Sequence, residues 1–269
     1  MNSPYELLQA RDFACSLGQL AAERLQRGRE QARMIIEKAQ GDWCSELDLQ
    51  IENLLRERIA ERYPEHLFWG EESLHSRPIA ALLQHHHVWL VDPIDGSMNF
   101  LRGYPQYAVS IALLHDSMPV VACIVDPVRQ ETYLAARGHG AYCNGQPLQV
   151  AATASLSQAV AATVFPKPKA DFMQQYLPEL GRVMRTCSGV RRAGSMALEL
   201  AYLAAGRIDV FWERGMGAWD AAAGMLLIEE AGGMLWSLDE QPWYASGTLA
   251  ASTPALRSAW HELLQTAFT

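Results

Sequence analysis

The run Asp92-Pro93-Ile94-Asp95-Gly96-Ser97 sets two carboxylates three residues apart, beside a glycine and a hydroxyl. Such a set can hold a hard divalent cation, which takes oxygen ligands and gains from more than one carboxylate. Val88, Trp89, Leu90 and Val91 just before it form a short continuous apolar run, the pattern of a strand buried on both faces. Asp92 then falls at the carboxyl end of that strand. Pro93 has no amide hydrogen and pushes Asp92 toward an extended conformation, so the ladder is expected to stop there and the chain to turn. The turn can gather Asp92, the Ile94 carbonyl and Asp95 around one point. Gly96 permits close approach of the backbone to a ligand, and a helix beginning over 97–100 would aim free amides at an anion. Asp-Pro-X-Asp-Gly is also an ordinary turn sequence, so this motif alone leaves a metal site and a plain turn both open.

Three further segments carry carboxylates to comparable places. Gly70-Glu71-Glu72 follows the apolar Leu67-Phe68-Trp69, which puts acids at a second strand end, either to join Asp92 on a metal or as solvated surface. Trp219-Asp220 precedes Ala221, Ala222, Ala223 and Gly224, so Asp220 lies in the first turn of a small-faced helix. It reads as a helix cap, or as a carboxylate that close helix packing holds near a cleft. Glu213 ends a strand expected over 208–212, where it either bonds substrate hydroxyls or stands in an exposed loop. The triplet His85-His86-His87 reads as a polar approach to the next strand, because adjacent side chains point in different directions and seldom converge on one ion.

The elements that must position these groups are readable in outline. A chain of 269 residues, 49% hydrophobic and 19% charged, can bury a sizeable core as one large domain or two lobes sharing a cleft. Residues 4–27 and 45–63 suit amphipathic helices, the second capped by Ser45 with Asp48 three residues on. From 67 to 150 short strands follow one another, clearest over 109–114, 120–126 and 131–136, with Asn144-Gly145 as a hairpin turn between 141–142 and 148–150. This region is expected to be a largely antiparallel sheet. Beyond 151 strands and helices alternate: strand 159–165, helix 195–205, strand 208–212, helix 220–231 stopped by Gly232-Gly233, then another strand, with a loop at 166–168. The expectation is one compact catalytic domain, with lobes 1–150 (α+β) and 151–269 (α/β) and the active site between them.

A formal charge of -8 argues against a broad nucleic-acid or anionic-membrane surface, so no direct nucleic-acid or membrane contact is expected. An acidic protein handling an anionic substrate would need metal ions or helix amides to hold it. No signal-peptide pattern or membrane-length apolar run is evident, and a cytoplasmic protein is expected. The five cysteines are widely spaced without a Cys-x-x-Cys pair and read as reduced structural thiols.

Taken together, Gly70-Glu71-Glu72, the stretch from Asp92 through Ser97 to Met98-Asn99-Phe100, Gly138-His139-Gly140-Ala141 with Asn144-Gly145, Trp219-Asp220-Ala221-Ala222-Ala223-Gly224 and Glu229-Glu230-Ala231-Gly232-Gly233 resemble the inositol monophosphatase family. The resemblance runs from about Asp42 onward. It implies an α/β fold, a layered αβαβα sandwich similar to fructose-1,6-bisphosphatase. It also implies a magnesium-dependent phosphomonoesterase, sensitive to lithium and commonly a homodimer. By position, Glu71, Asp92 and the Ile94 carbonyl would hold a first ion, Asp92, Asp95 and Asp220 a second, and a third, weaker one would lean on Glu71. Asp48 with the Ser97 hydroxyl would orient the attacking water. The amides of Gly96 and Ser97 would hold phosphate, and Asp95, Met196, Asp220 and Glu213 would face the substrate, Glu213 contacting its alcohol portion.

Phosphate monoesters resist hydrolysis because their charge repels a nucleophile, and a pair of ions can offset that charge and stabilise the leaving alkoxide. Water, rather than Ser97, is the expected nucleophile, since no Ser-His pair is evident. Two positions depart from the family pattern. Ser97 stands where threonine is common, losing the methyl that restricts the rotamer. Met196 stands where alanine is common, either narrowing the pocket or filling core space. The favoured substrate is an inositol monophosphate. Histidinol phosphate, fructose 1,6-bisphosphate and adenosine 3',5'-bisphosphate are alternatives, as is a protein-binding role in transcription or RNA processing.

Overall fold

A computed structural model describes residues 4–28, 35–39, 42–72, 85–165 and 172–265. Side-chain alternation explains its layers. In the strand β4 (His87–Asp95), Val88 and Leu90 join one buried core, while Trp89 and Val91 join another on the opposite face. β5 (Ala108–His115) repeats this, with Ala112 and Leu114 on the first side and Val109, Ile111 and Leu113 on the second. A strand buried on both faces needs cover on both sides.

Among the described residues β4 and β5 are central to a seven-stranded sheet in the order β3-β4-β5-β6-β7-β8-β9. The others are β3 (Leu67–Gly70), β6 (Met118–Asp126), β7 (Glu131–Ala136), β8 (Ala141–Cys143) and β9 (Gln146–Pro147). The β3–β4 pair is parallel and the rest of the sheet antiparallel, in line with the largely antiparallel expectation. Outer cover comes from α1 (Pro4–Gly28) and α2 (Glu46–Arg62), whose apolar faces supply Leu17, Leu25, Ile51 and Leu55. Gly18 brings α1 close, since a Cβ there would lie 2.8 Å from Val125 Cγ2. A small hairpin of β1 (Ile35–Ala39) and β2 (Asp42–Ser45) leads into α2.

The inner face is covered by two later helices, which a second sheet backs in turn. That sheet has the order β11-β10-β12-β14-β13. Its strands are β10 (Val160–Thr163), β11 (Gly189–Arg191), β12 (Val210–Arg214), β13 (Met234–Trp236) and β14 (Thr248–Ser252). Chain order interleaves them with α3 (Ser97–Arg102), α4 (Met173–Thr186), α5 (Met196–Ala204), α6 (Ala218–Glu230), α7 (Trp243–Ser246) and α8 (Arg257–Gln265). Residues of α5 and α6 share one core with the inner faces of both sheets. Tyr176 and Val183 of α4 and Trp260 of α8 pack with Val210 and Trp212 on the far side of the second sheet. The layer order is αβαβα, and no described helix is long and apolar enough to cross a membrane.

Several elements differ in detail from the sequence reading. Pro93 does not end β4: pairing with β5 shifts register between Asp92 and Asp95 and resumes at Asp95↔Ala108. The proline occupies a bulge, where a missing amide breaks no ladder bond. The return strand after Asn144-Gly145 is β9 rather than 148–150, and Leu148 instead donates its N–H to Ala141 O. The strand expected over 208–212 starts two residues later, as β12. The loop expected at 166–168 lies outside the described residues. His87 stacks between His66 and His115, and His86 faces Asp116. No disulfide joins any of the five cysteines.

Candidate functional site

The ends of β3 and β4 lie side by side, because the parallel register Gly70↔Val91 lets the next residue, Glu71, donate its N–H to Val91 O at 3.1 Å. Glu71 and Asp92 therefore leave the sheet together. The third acid arrives from the helix layer. Asp220 sits in the first turn of α6 and accepts the Gly217 N–H at 2.8 Å, so it caps its helix and faces the sheet as well. The edge-on pair Trp69–Trp219, 5.4 Å between ring centroids, ties the end of β3 to the start of α6, and Ser110 Oγ donates to Trp219 O. In consequence, one carboxylate oxygen from each of Glu71, Asp92 and Asp220 lies within 4.8 Å of the others.

Asp95 is held differently. Its side chain reaches the start of α5, where it accepts from Ser195 Oγ, Met196 N at 3.2 Å and Ala197 N at 2.7 Å. Asp92 accepts from the Ile94 N–H at 2.9 Å. Burial pushes the Asp92 carboxyl far above the usual carboxylate range, and the charges of Glu71, Asp95 and Asp220 push it further. Asp220 is raised strongly by burial, then by Glu71 and Asp95. Asp95 is also raised by burial, but its three donors hold it to about 6.

Beyond Asp95, Gly96 has φ 93° and caps α3. A Cβ at Gly96 would lie 3.0 Å from Gln106 O and 3.1 Å from Gly194 O, both backbone atoms, so conformation and space each demand glycine. Ser97 opens α3, with its Oγ 2.9 Å from both Asp48 Oδ1 and Ile94 O. Asp48 is buried and uses its other oxygen to accept the Ser45 N–H at 2.8 Å. The acid that completes the capping box of α2 thus also holds the Ser97 hydroxyl from behind.

Glu71, Asp92, Ile94, Asp95, Gly96, Ser97, Met196, Glu213 and Asp220 line one cleft of about 500 Å³. Glu213 is neither exposed nor in a loop. It is buried inside β12, pairs with Leu249, and accepts the Val164 N–H at 2.9 Å. Burial raises its carboxyl well above the ordinary range. Met196 answers both readings, since it packs in the inter-sheet core and lines the cleft. Gly224 lets α6 approach α5 so closely that a Cβ would fall 2.4 Å from Leu200 Cβ.

Sequence reasoning assigned no role to Ser195, Asn99 or the Trp69–Trp219 pair. Asn99 Nδ2 lies 2.7 Å from Gln106 O and 2.8 Å from Ala193 O, linking two loops that flank the Gly96 turn. Ser195 carried a legible signal, as a serine before an apolar helix. The tryptophan contact carried none.

The donor set fits a hard divalent cation. The acidic lining groups are all carboxylates, none of the described lining residues is histidine or cysteine, and Glu71, Asp92 and Asp220 crowd one another there. A model of the inositol monophosphatase family matches residues 6–269.

The chain belongs to that family. It is 40% identical over 231 residues to the inositol-1-monophosphatase of Rhizobium meliloti, covering 85% of each. It is likewise 40% identical over 201 residues to the Nus factor SuhB of Pseudomonas aeruginosa, covering 74% of this chain and 73% of that one. The crystal structure of the extragenic suppressor protein suhB from Bartonella henselae matches with a TM-score of 0.89 at 32% identity, over 97% of this chain and 100% of that chain. The family fold is the one described here, and membership supports metal-dependent phosphatase chemistry.

Proposed function

We propose that this protein hydrolyses a small phosphate monoester, an inositol monophosphate in the favoured reading, with magnesium as cofactor. The observation that carries the reading is the convergence of Glu71, Asp92 and Asp220 oxygens within 4.8 Å in a cleft that also presents Ser97 and the Gly96 turn. Glu71, Asp92 and the Ile94 carbonyl would hold one cation, Asp92, Asp95 and Asp220 another, with Glu71 open to a third. Bound there, such ions supply charge neutralisation and Lewis acidity to phosphoryl transfer.

The chain's own groups then have separate tasks. Asp48 accepts the Ser97 hydroxyl hydrogen, which turns the Ser97 lone pairs outward to accept an O–H from the attacking water. The proton leaving that water has Ser97 Oγ and, behind it, Asp48 Oδ1 as its relay. The amides of Gly96 and Ser97 hold the phosphate oxygens, and α3 begins there. Glu213 faces the alcohol. Its raised affinity for a proton suits it to donate to, or accept from, a polyol hydroxyl. No histidine stands against Ser97 among the described hydrogen bonds, which favours direct attack by water over a phosphoserine intermediate.

The test is phosphate release from inositol 1-phosphate with and without magnesium, beside histidinol phosphate, fructose 1,6-bisphosphate and adenosine 3',5'-bisphosphate. Magnesium-dependent preference for the inositol ester supports the reading. Covalently phosphorylated protein trapped during turnover would refute direct hydrolysis. A second reading rests on the relative named as a Nus factor: a role through a protein partner. Specific retention of transcription proteins by an Asp92→Asn variant would favour it.

A further inference from the structure

Glu52 follows Asp48 by one helical turn on α2 and is 1% exposed. Its Oε2 accepts the Glu72 N–H at 2.7 Å, across twenty residues of sequence. Its Oε1 is buried and has no hydrogen-bond partner among the described residues. A buried carboxylate with half its capacity unspent is an expensive way to stabilise a fold. The strand end opposite is shaped to admit it. A Cβ on Gly70 would fall 2.2 Å from the Glu52 carboxyl carbon, so β3 leaves room there for this side chain.

The position of that contact gives it a purpose. Glu71 lies between two peptide units, and both are pinned. The unit before it donates from Glu71 N to Val91 O on β4, beside Asp92. The unit after it donates from Glu72 N to Glu52 on α2. Fixing both peptides restrains the backbone torsions of Glu71 and hence the direction in which its side chain leaves the chain. The same helix, one turn earlier, fixes Ser97 through Asp48.

We infer that Glu52 is a positioning residue: its carboxylate pins the peptide after Glu71, so that the Glu71 carboxylate stays beside those of Asp92 and Asp220, and cation affinity depends on it. α2 thereby acts as a ruler between the two halves of the site. The inference rests on the reading that Glu71 holds a cation.

The experiment measures Mn²⁺ binding to the purified protein by electron paramagnetic resonance, together with the Mg²⁺ dependence of phosphate release from inositol 1-phosphate. Three variants are compared. Glu52→Ala removes the acceptor. Gly70→Ala leaves the carboxylate in the chain but displaces it. Glu52→Gln keeps an oxygen that can accept the Glu72 N–H. Outer-shell partners of metal ligands typically contribute roughly 10–100-fold in affinity, and the Mn²⁺ dissociation constant should rise on that order in Glu52→Ala and Gly70→Ala. The half-saturating Mg²⁺ should rise in parallel, with turnover at saturating Mg²⁺ largely kept, and Glu52→Gln should recover much of the loss. Unchanged Mn²⁺ affinity in folded Glu52→Ala or Gly70→Ala would overturn the inference while leaving the cation reading intact. If Glu52→Ala does not fold, Gly70→Ala decides. Absence of Mn²⁺ binding by the unaltered protein would instead overturn the cation reading, and this inference with it.

Discussion

Asp92 and Asp95 stand three residues apart in one strand, both buried, and the chain treats them oppositely. Asp95 meets the N-terminus of α5 and receives three donors there. Asp92 receives one backbone N–H and meets Glu71 and Asp220. The first has its charge met by the fold, and its carboxyl rises only to about 6. The second has its charge met by a single backbone N–H and is crowded by other carboxylates, and it rises well above the ordinary range. A protein that wanted only to bury these acids would supply donors to both. The contrast separates a carboxylate placed to orient from one kept available to a cation.

The largest effect should come from removing the unmet charge. Asp92→Asn should lower magnesium-dependent phosphate release by more than the roughly 100-fold upper range for outer-shell partners. It should also raise the melting temperature of the cation-free protein, because a buried acid crowded by other carboxylates has gone. Steady-state kinetics and thermal melting check the two halves, and a cation-free variant that melts earlier than the unaltered protein would break the comparison.

Next in size is the pH dependence of the cation-free protein. Asp95, Asp92 and Asp220 all have folded pKa values above the usual 3.8. The folded state therefore binds more protons than the unfolded state above about pH 4, and stability falls as pH rises, through about 6 for Asp95 and higher for the other two. Melting curves between pH 5 and 8 (roughly the window in which Asp95 ionises) should show this decline, and added magnesium should oppose it most at the alkaline end. A melting temperature that rises with pH without cation would contradict the assignment.

Ser195→Ala probes the side that is already satisfied. A hydrogen bond to a charged group contributes about 1.5–3 kcal/mol, so stability by denaturant titration should fall by that order. The acidic limb of the pH–rate profile should move upward as Asp95 loses a donor. Smallest is Gly224→Ala, which presses α6 away from Leu200 of α5. Overpacking of this kind costs about 1–3 kcal/mol, and it should weaken cation binding through Asp220 more than it disturbs Asp95. Equal effects on both would show that the two carboxylates are not independently held.

Much of this was legible from residue order. The continuous apolar run 88–91 announced a strand buried on both faces, 109–114 announced its neighbour as a strand, and Ser45 with Asp48 announced the start of α2. The acidic motifs held the three carboxylates, Glu71, Asp92 and Asp220, that converge. Illegible were the facts that depend on long-range packing. Glu213 looked like a loop residue because nothing local reveals that Leu249 pairs with it across the second sheet. Pro93 looked like a strand end because a bulge tolerates what a ladder does not. Nothing local marks Glu52, since the gap left by Gly70 is eighteen residues away.

Asn99 makes two loops beside the site depend on one amide. Its amide nitrogen lies between two backbone carbonyls, those of Gln106 and Ala193. Exchanging that amide for a carboxylate, as in Asn99→Asp, would replace a nitrogen that attracts both carbonyls with an oxygen that repels them. Such a chain would keep every acidic group of the site and still lose the tie between the loops beside it, a loss carried by one heavy atom.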